Sequence, residues 1–500
     1  MSSESSELPA PNRLVDIVIR GREPAPPAFI TRQTYYPWLV VGVTCVAAFI
    51  GQLDASIVQL TLPTLEREFD ANLGSVSWVA VAYLVGFASV LPTFGRLAEM
   101  LGRKLLYVTG FLIFTFASLL CGFAPTLGWL ILFRAVQGIG GALCGANSIA
   151  ILVKAAGPSR RSRAMGVLAA AQAIGISAGP AVGGVLLGTL GWRWVFWVNV
   201  PFGFVAAIWA LVVVPQSTDL DKNKSLDWQG ALLLTPALIA LALALTEVQN
   251  WGLTSPSFIA CLIISVLLLP LFIRRERKAG APLLNPSLFG YTGFRYGVIA
   301  VFLSYALLYG MFFLMSFVLV RGYAEPALTA GLRLAAVPVA LGVIAPFSGA
   351  LCDRLGSRIL TALGMLVCVV SLILLQLVLN GTTDNLASVM VMLALFGVGL
   401  GLFIAPNNDA TVHAVPAERS GQAGALVNLM RILGTATGVA ASSTVLTWRL
   451  ELLAHAGGRT TTVSASGLIT AVSNALLLLL VFAVMSGLAS LRRARVSGSP

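Results

Sequence analysis

From residue 38 onward the chain alternates long apolar runs with short polar breaks. An uncharged run of about 18 or more residues is long enough to cross the hydrocarbon core of a bilayer. Six such runs lie near Trp38–Leu60, Val76–Phe94, Leu105–Phe123, Leu127–Val153, Ala164–Leu187 and Trp194–Val214. Two more follow near Trp228–Thr246 and Phe258–Ile273. The last six lie near Tyr296–Val320, Leu328–Leu351, Ile359–Leu379, Leu386–Ala410, Gly421–Leu446 and Leu468–Leu488. Each run is expected to be helical, because backbone N–H and C=O groups cannot stay unpaired in hydrocarbon. The pattern therefore predicts an all-α integral membrane protein with 14 transmembrane helices.

The runs echo one another at a spacing of eight helices. Gly95-Arg-Leu-Ala-Glu-Met-Leu-Gly-Arg-Lys104 follows the second span, and Gly349-Ala-Leu-Cys-Asp-Arg-Leu-Gly-Ser-Arg358 follows the tenth. Gly138-Ile-Gly140 in the fourth span matches Gly397-Val-Gly399 in the twelfth, and Gly175-x-x-x-Gly179 in the fifth matches Gly434-x-x-x-Gly438 in the thirteenth. Two six-helix halves, separated by two extra helices, produce this offset. The expected organisation is a polar, disordered cytoplasmic tail over 1–36, a six-helix bundle over 37–214, two linker helices over 215–290, a second bundle over 291–490 and a short tail over 491–500. Duplicated halves place a substrate site at their interface near the bilayer midplane.

Composition agrees. Charged residues make up 10% of the chain and mean hydropathy is +0.89, whereas soluble proteins carry about 25% charged residues. The formal charge of +12 does not point to nucleic acid, because the basic residues sit in short clusters between apolar runs, as in Arg160-Arg161-Ser162-Arg163. If both tails face the cytoplasm, twenty-four of the thirty-two Lys and Arg fall inside, six outside, and two, Arg134 and Arg431, within spans. That bias predicts both termini on the cytoplasmic side of a cytoplasmic (inner) cell membrane. The six cysteines lie in or beside apolar runs without metal-ligand spacing, so buried hydrophobes are expected rather than a metal site.

Two embedded charges carry the candidate chemistry. At about 1.5 Å per residue, Asp54 lies about 24 Å from the inner edge and Arg134 about 12 Å below the outer edge, depths that a guanidinium can bridge. Ionisable groups inside a membrane are costly and mark functional sites, although a buried ion pair can also serve packing alone. Burial favours a neutral carboxyl and a neighbouring guanidinium favours a charged one. Opening a cavity to one side or the other changes both influences, so Asp54 can load a proton on one face and release it on the other. Arg431, Gln137 and Asn428 are assigned to the wall of the central cavity. In the loop after the second span Gly95, Glu99, Gly102 and Arg103 are assigned to a conformational latch, with Asp353 and Arg354 as counterparts in the second half. Glu99 is expected at a neighbouring helix N-terminus, and Arg103 and Lys104 at the inner leaflet. Gly175, Gly179 and Gly183 form a smooth stripe beside Pro180, suited to close helix approach.

Taken together, these motifs resemble the Major Facilitator Superfamily, in particular the fourteen-helix drug:proton antiporters of the EmrB/QacA type. The likeness spans about 37 to 490 and rests on the 95–104 loop, Arg134–Gly138, Gly175-x-x-x-Gly179-Pro180-x-x-Gly183-Gly184, Asp54…Pro63 and Trp192-Arg-Trp-Val-Phe-Trp-Val-Asn-Val-Pro201. It implies two six-helix bundles of the major facilitator fold plus two linker helices. It further implies export of lipophilic compounds in exchange for protons, with Asp54 and Arg134 in coupling, no enzymatic activity and no cofactor beyond the proton gradient. The chain departs in having Glu99 where Asp is usual and in lacking an acid within the tenth span.

A dedicated exporter of one endogenous metabolite is the alternative. A membrane acyltransferase would need a His–acid or metal cluster at one interface, in which neither His413 nor His455 is expected, and an ATP-driven pump would need Gly-x-x-x-x-Gly-Lys-Ser/Thr, which does not occur. The expected partners are lipid, protons and a small lipophilic substrate, with the chain acting as a monomer. Relatives in double-membraned bacteria can also dock a periplasmic adaptor and an outer-membrane channel. With Asp54 as the one clearly embedded acid, neutral, weakly acidic or monocationic compounds are expected to be carried better than rigid dications.

Overall fold

The computed structural model describes residues 23–157, 160–217, 227–252, 254–279, 283–284, 286–379, 385–416, 419–456 and 464–492. Among them are 14 helices long and apolar enough to cross a membrane. We number these α1 Tyr36–Glu68, α2 Leu73–Leu101, α3 Arg103–Gly122, α4 Leu127–Ala156 and α5 Arg161–Thr189. α6 is Arg193–Val213, α7 Trp228–Trp251, α8 Pro256–Lys278 and α9 Thr292–Gly322. α10 comprises Ala327–Leu334 and Ala336–Leu355; α11 is Ser357–Val378, α12 Leu386–Val412, α13 Ser420–Ala456 and α14 Ala465–Leu491. An even number of spans brings α1 to begin and α14 to end on the same face, here called the tail face.

The eightfold offset in the sequence is an offset in packing. α1 packs on α5, α2 on α4, and α3 on both α4 and α6; in the same way α9 packs on α13, α10 on α12, and α11 on both α12 and α14. Small residues make each echo possible, since they let backbones touch. A Cβ on Gly138 would meet the carbonyl of Tyr83, and one on Gly397 the carbonyl of Val337. Gly179 abuts Ser56 of α1, and its counterpart Gly438 abuts Ala306 of α9. The glycine stripe of α5 is thus the seam with α1. Gly179→Val should force these helices apart and lower the melting temperature of the detergent-solubilised protein by several degrees, as overpacking by about 1–3 kcal/mol does. An unchanged melting curve would contradict this packing.

The linker helices α7 and α8 pack on each other, and α7 also touches α2 and α13, one helix from each half. α8 is mostly unburied, and Ile263, Val266 and Leu267 on it are more than half exposed. That surface suits lipid rather than water. α9 is the most buried span. On the face opposite the tails the halves are held together: Arg321 of α9 donates to both carboxylate oxygens of Glu66 at the end of α1, and Gly331 of α10 lies against Pro180 and Gly184 of α5.

Candidate functional site

Five elements of the first half converge on one buried carboxylate. Asp54 projects from α1 and is fully buried. Arg134, on α4 and 1% exposed, donates from Nη1 to Asp54 Oδ2 at 2.6 Å and to Gln137 Oε1 at 2.6 Å. Gln137 Nε2 and Asn199 Nδ2 both donate to Asp54 Oδ1, at 3.1 and 2.9 Å. Ser118 Oγ of α3 accepts from the same two amides and donates to the Phe196 carbonyl. Arg134 Nε donates to the Val79 carbonyl of α2 at 2.9 Å, and its guanidinium carbon lies 4.5 Å from the Tyr83 ring centroid.

The sequence-based expectation that Asp54 and Arg134 meet therefore holds, with more partners than expected. The carboxylate accepts three hydrogen bonds, so its charge is well compensated. The guanidinium keeps three contacts independent of that charge: the Val79 carbonyl, the Gln137 amide oxygen and the Tyr83 ring face. Arg134 therefore has partners of its own besides the Asp54 carboxylate. Gln137 is placed differently from expectation. It is fully buried in the Asp54 cluster rather than lining the cavity, because its i+3 position puts it on the same helix face as Arg134. Ser118 and Asn199 were not anticipated. Asn199 had a signal, being a lone amide in the apolar Trp192–Pro201 run, whereas Ser118 had none.

Beside this cluster lies a cavity with about 850 Å³ of empty space, its open mouth included, between the two halves. Arg431 and Asn428 of α13 line it as expected, opposite Gln52 and Tyr83 of the first half. Tyr309 of α9 spans the interface, its hydroxyl donating to Gln52 Oε1 at 3.2 Å. Asn428 Oδ1 accepts from Arg431 Nε and Nη2 at 3.1 and 2.7 Å. Tyr83 belongs to both places, forming part of the cavity wall and lying against Arg134.

A profile described as Major Facilitator Superfamily matches residues 44–439. The chain belongs to the Major Facilitator Superfamily. Similar members include "Multidrug resistance protein Stp" of Mycobacterium tuberculosis, 33% identical over 82% of this chain and 75% of that one. "Drug efflux pump JefA" of the same species is 30% identical, over 82% and 80% of the two chains. "Riboflavin transporter RibZ" of Clostridioides difficile is 30% identical, over 81% and 87%. The fold is shared with an inward-facing, unoccupied bacterial homolog of the human lysosomal transporter Spinster: TM-score 0.65 at 15% identity, covering 94% of this chain and all of that one.

In this major facilitator protein the latch region gains a carboxylate the sequence did not point to and differs from expectation at Lys104. Glu99 bonds Arg96 on its own helix at 2.8 Å; the carboxylate seated on the N-terminus of α3 belongs to Glu23. Glu23 Oε1 accepts from the Leu105 N–H at 3.0 Å, and Ser217 Oγ accepts from the Arg103 N–H at 2.8 Å while its own N–H donates to Glu23. Gly102 allows the turn, with φ +109°. Lys104, expected at the leaflet, is buried with Nζ donating to the Pro24 carbonyl. Part of the 1–36 segment is therefore built onto the bundle, with one helical turn at Ala28–Thr31; residues 1–22 lie outside the described residues. Gly95 packs beside Ala146 and Arg103 is half-buried, whereas Arg354 is exposed and the Asp353 side chain lies outside the described residues. Glu23→Ala should speed tryptic cleavage after Arg32 about five- to tenfold, the effect of losing the roughly 1 kcal/mol an N-terminal cap contributes. Glu23→Gln should retain most of the protection. Equal cleavage of all three proteins would mean Glu23 does not hold the segment.

Proposed function

We propose that this protein is a secondary active transporter that exports lipophilic drugs or toxic compounds across the cytoplasmic membrane in exchange for protons. The observation that carries the reading is a buried Asp54 paired with Arg134, whose guanidinium lies against Tyr83 in the wall of a cavity between two carrier halves. With the tail face cytoplasmic, the cavity extends from mid-bundle toward the cytoplasm, where Leu168 and Gln172 line it. Substrate enters there, displaces Tyr83 and alters the contacts of Arg134. The balance between charged and neutral Asp54 then shifts, and alternation between the two faces couples the exchange. The superfamily members named as multidrug and drug efflux proteins support this reading.

A second reading, a dedicated exporter of one endogenous metabolite, is favoured by the similarity to a protein named as a riboflavin transporter. The two separate in a susceptibility screen of a pump-deficient host expressing this chain. Resistance to several unrelated lipophilic compounds supports the first reading, and resistance to none supports the second. Proton release from proteoliposomes on substrate addition, tracked with an internal pH dye, tests the coupling itself. Export-dependent reporters should be inactive after Pro500 and active near Asn380; the reverse would overturn the orientation.

A further inference from the structure

The cavity carries one formal charge, and it is positive. Among the described residues that line it, Arg431 is the only ionised side chain. Asp54 does not offset it, being fully buried and already paired with Arg134, with Gln137 and Asn199 donating to its other oxygen. Nor do the other acids near the spans. Glu247 takes the indole N–H of Trp78, and Asp409 is 71% exposed beside His413. Arg431 itself meets no carboxylate among the described residues. Asn428 engages its Nε and Nη2, and the Tyr305 ring centroid lies 5.8 Å from its guanidinium carbon. The Asn428 amide orients the fork without neutralising it, leaving Nη1 for a ligand. An uncompensated guanidinium lining a cavity attracts anions and repels cations, and its planar fork matches carboxylate or sulfonate. Phe87, Phe111, Phe114, Tyr83 and Tyr309 supply ring surface around it.

We infer that the cavity selects amphiphiles bearing an acidic group on an aromatic body, with Arg431 anchoring the anion. This narrows the earlier expectation, since monocations now join dications among the disfavoured. It rests on the proposed reading of the cavity as the substrate site.

The test uses 1-anilinonaphthalene-8-sulfonate and N-phenyl-1-naphthylamine, which share a body and differ by the sulfonate. The full chain should bind the sulfonate saturably and at least about tenfold more tightly, a difference of about 1.4 kcal/mol. Arg431→Ala should erase that preference while changing the neutral probe's affinity less than about twofold, and Arg431→Lys should restore part of it. Equal wild-type affinities, equal losses of both probes in Arg431→Ala, or no saturable sulfonate binding would overturn the inference. Proton release by each probe, read in the same proteoliposomes, separates the two readings. Release driven by the neutral probe without sulfonate preference removes only the substrate class. Arg431-dependent sulfonate binding without release by either probe removes only the proton coupling.

Discussion

Asp54→Asn is expected to abolish substrate-dependent proton release while leaving a folded protein that still binds substrate. An amide does not titrate at the working pH, so the cluster loses the one carboxyl among its described members. The fold should survive, because the side chain keeps its shape and one oxygen. That oxygen can accept from Arg134 or from the two amide donors, but not from all three as the carboxylate does. The remaining donors would turn toward Ser118 or go unpaired, at a cost of about 1–3 kcal/mol. Proteoliposomes loaded with a pH dye should give background proton release, while equilibrium binding of a transported compound stays within a few-fold. Transport by Asp54→Asn with unchanged pH dependence would show that the coupling acid lies elsewhere.

Arg134→Ala should be the most destabilising of these substitutions. It strands a fully buried carboxylate with only Gln137 and Asn199, empties the space over Tyr83 and frees the Val79 carbonyl. Breaking one side of a buried pair costs about 3–5 kcal/mol, mostly from the charge left behind. The melting temperature in detergent should fall well below wild type. Arg134→Lys should recover only part, since one ammonium cannot reach the Asp54 carboxylate, Gln137 and the Val79 carbonyl in the same fork. The decisive variant is the double Asp54→Asn, Arg134→Ala, which should be more stable than Arg134→Ala alone because no charge is left unpaired. If the double variant is less stable, the loss in the single one reflects packing rather than stranded charge.

Much of this was visible in one dimension because the bilayer imposes simple rules. Hydrocarbon thickness sets the length of an apolar run, and a run of about 20 residues satisfies its backbone there as a helix, so the 14 spans follow from hydropathy alone. The glycine echoes at an offset of eight helices named the backbone contacts of both halves, because only a residue without Cβ permits them. Asp54 and Arg134 stood out for the same reason: a charge inside a membrane requires a partner.

What hydropathy does not encode is the direction in which a polar, uncharged side chain points once helices pack. Gln137 looked like a cavity residue because it is polar and central, yet the rotation of α4 places it under Asp54. Ser118 reaches the site only because α3 packs between α4 and α6. Glu23 lies in a stretch whose composition reads as solvated tail, and only docking against Ser217 and the start of α3 buries it. Apolar length and isolated charge are local properties, so the sequence by itself determined the spans, the duplicated halves and the pairing of Asp54 with Arg134. Helix rotation, the contact of Arg134 with Tyr83 and the exposure of Arg431 to the cavity depend on how neighbouring helices fill one another's surfaces, and those the tertiary structure alone decided.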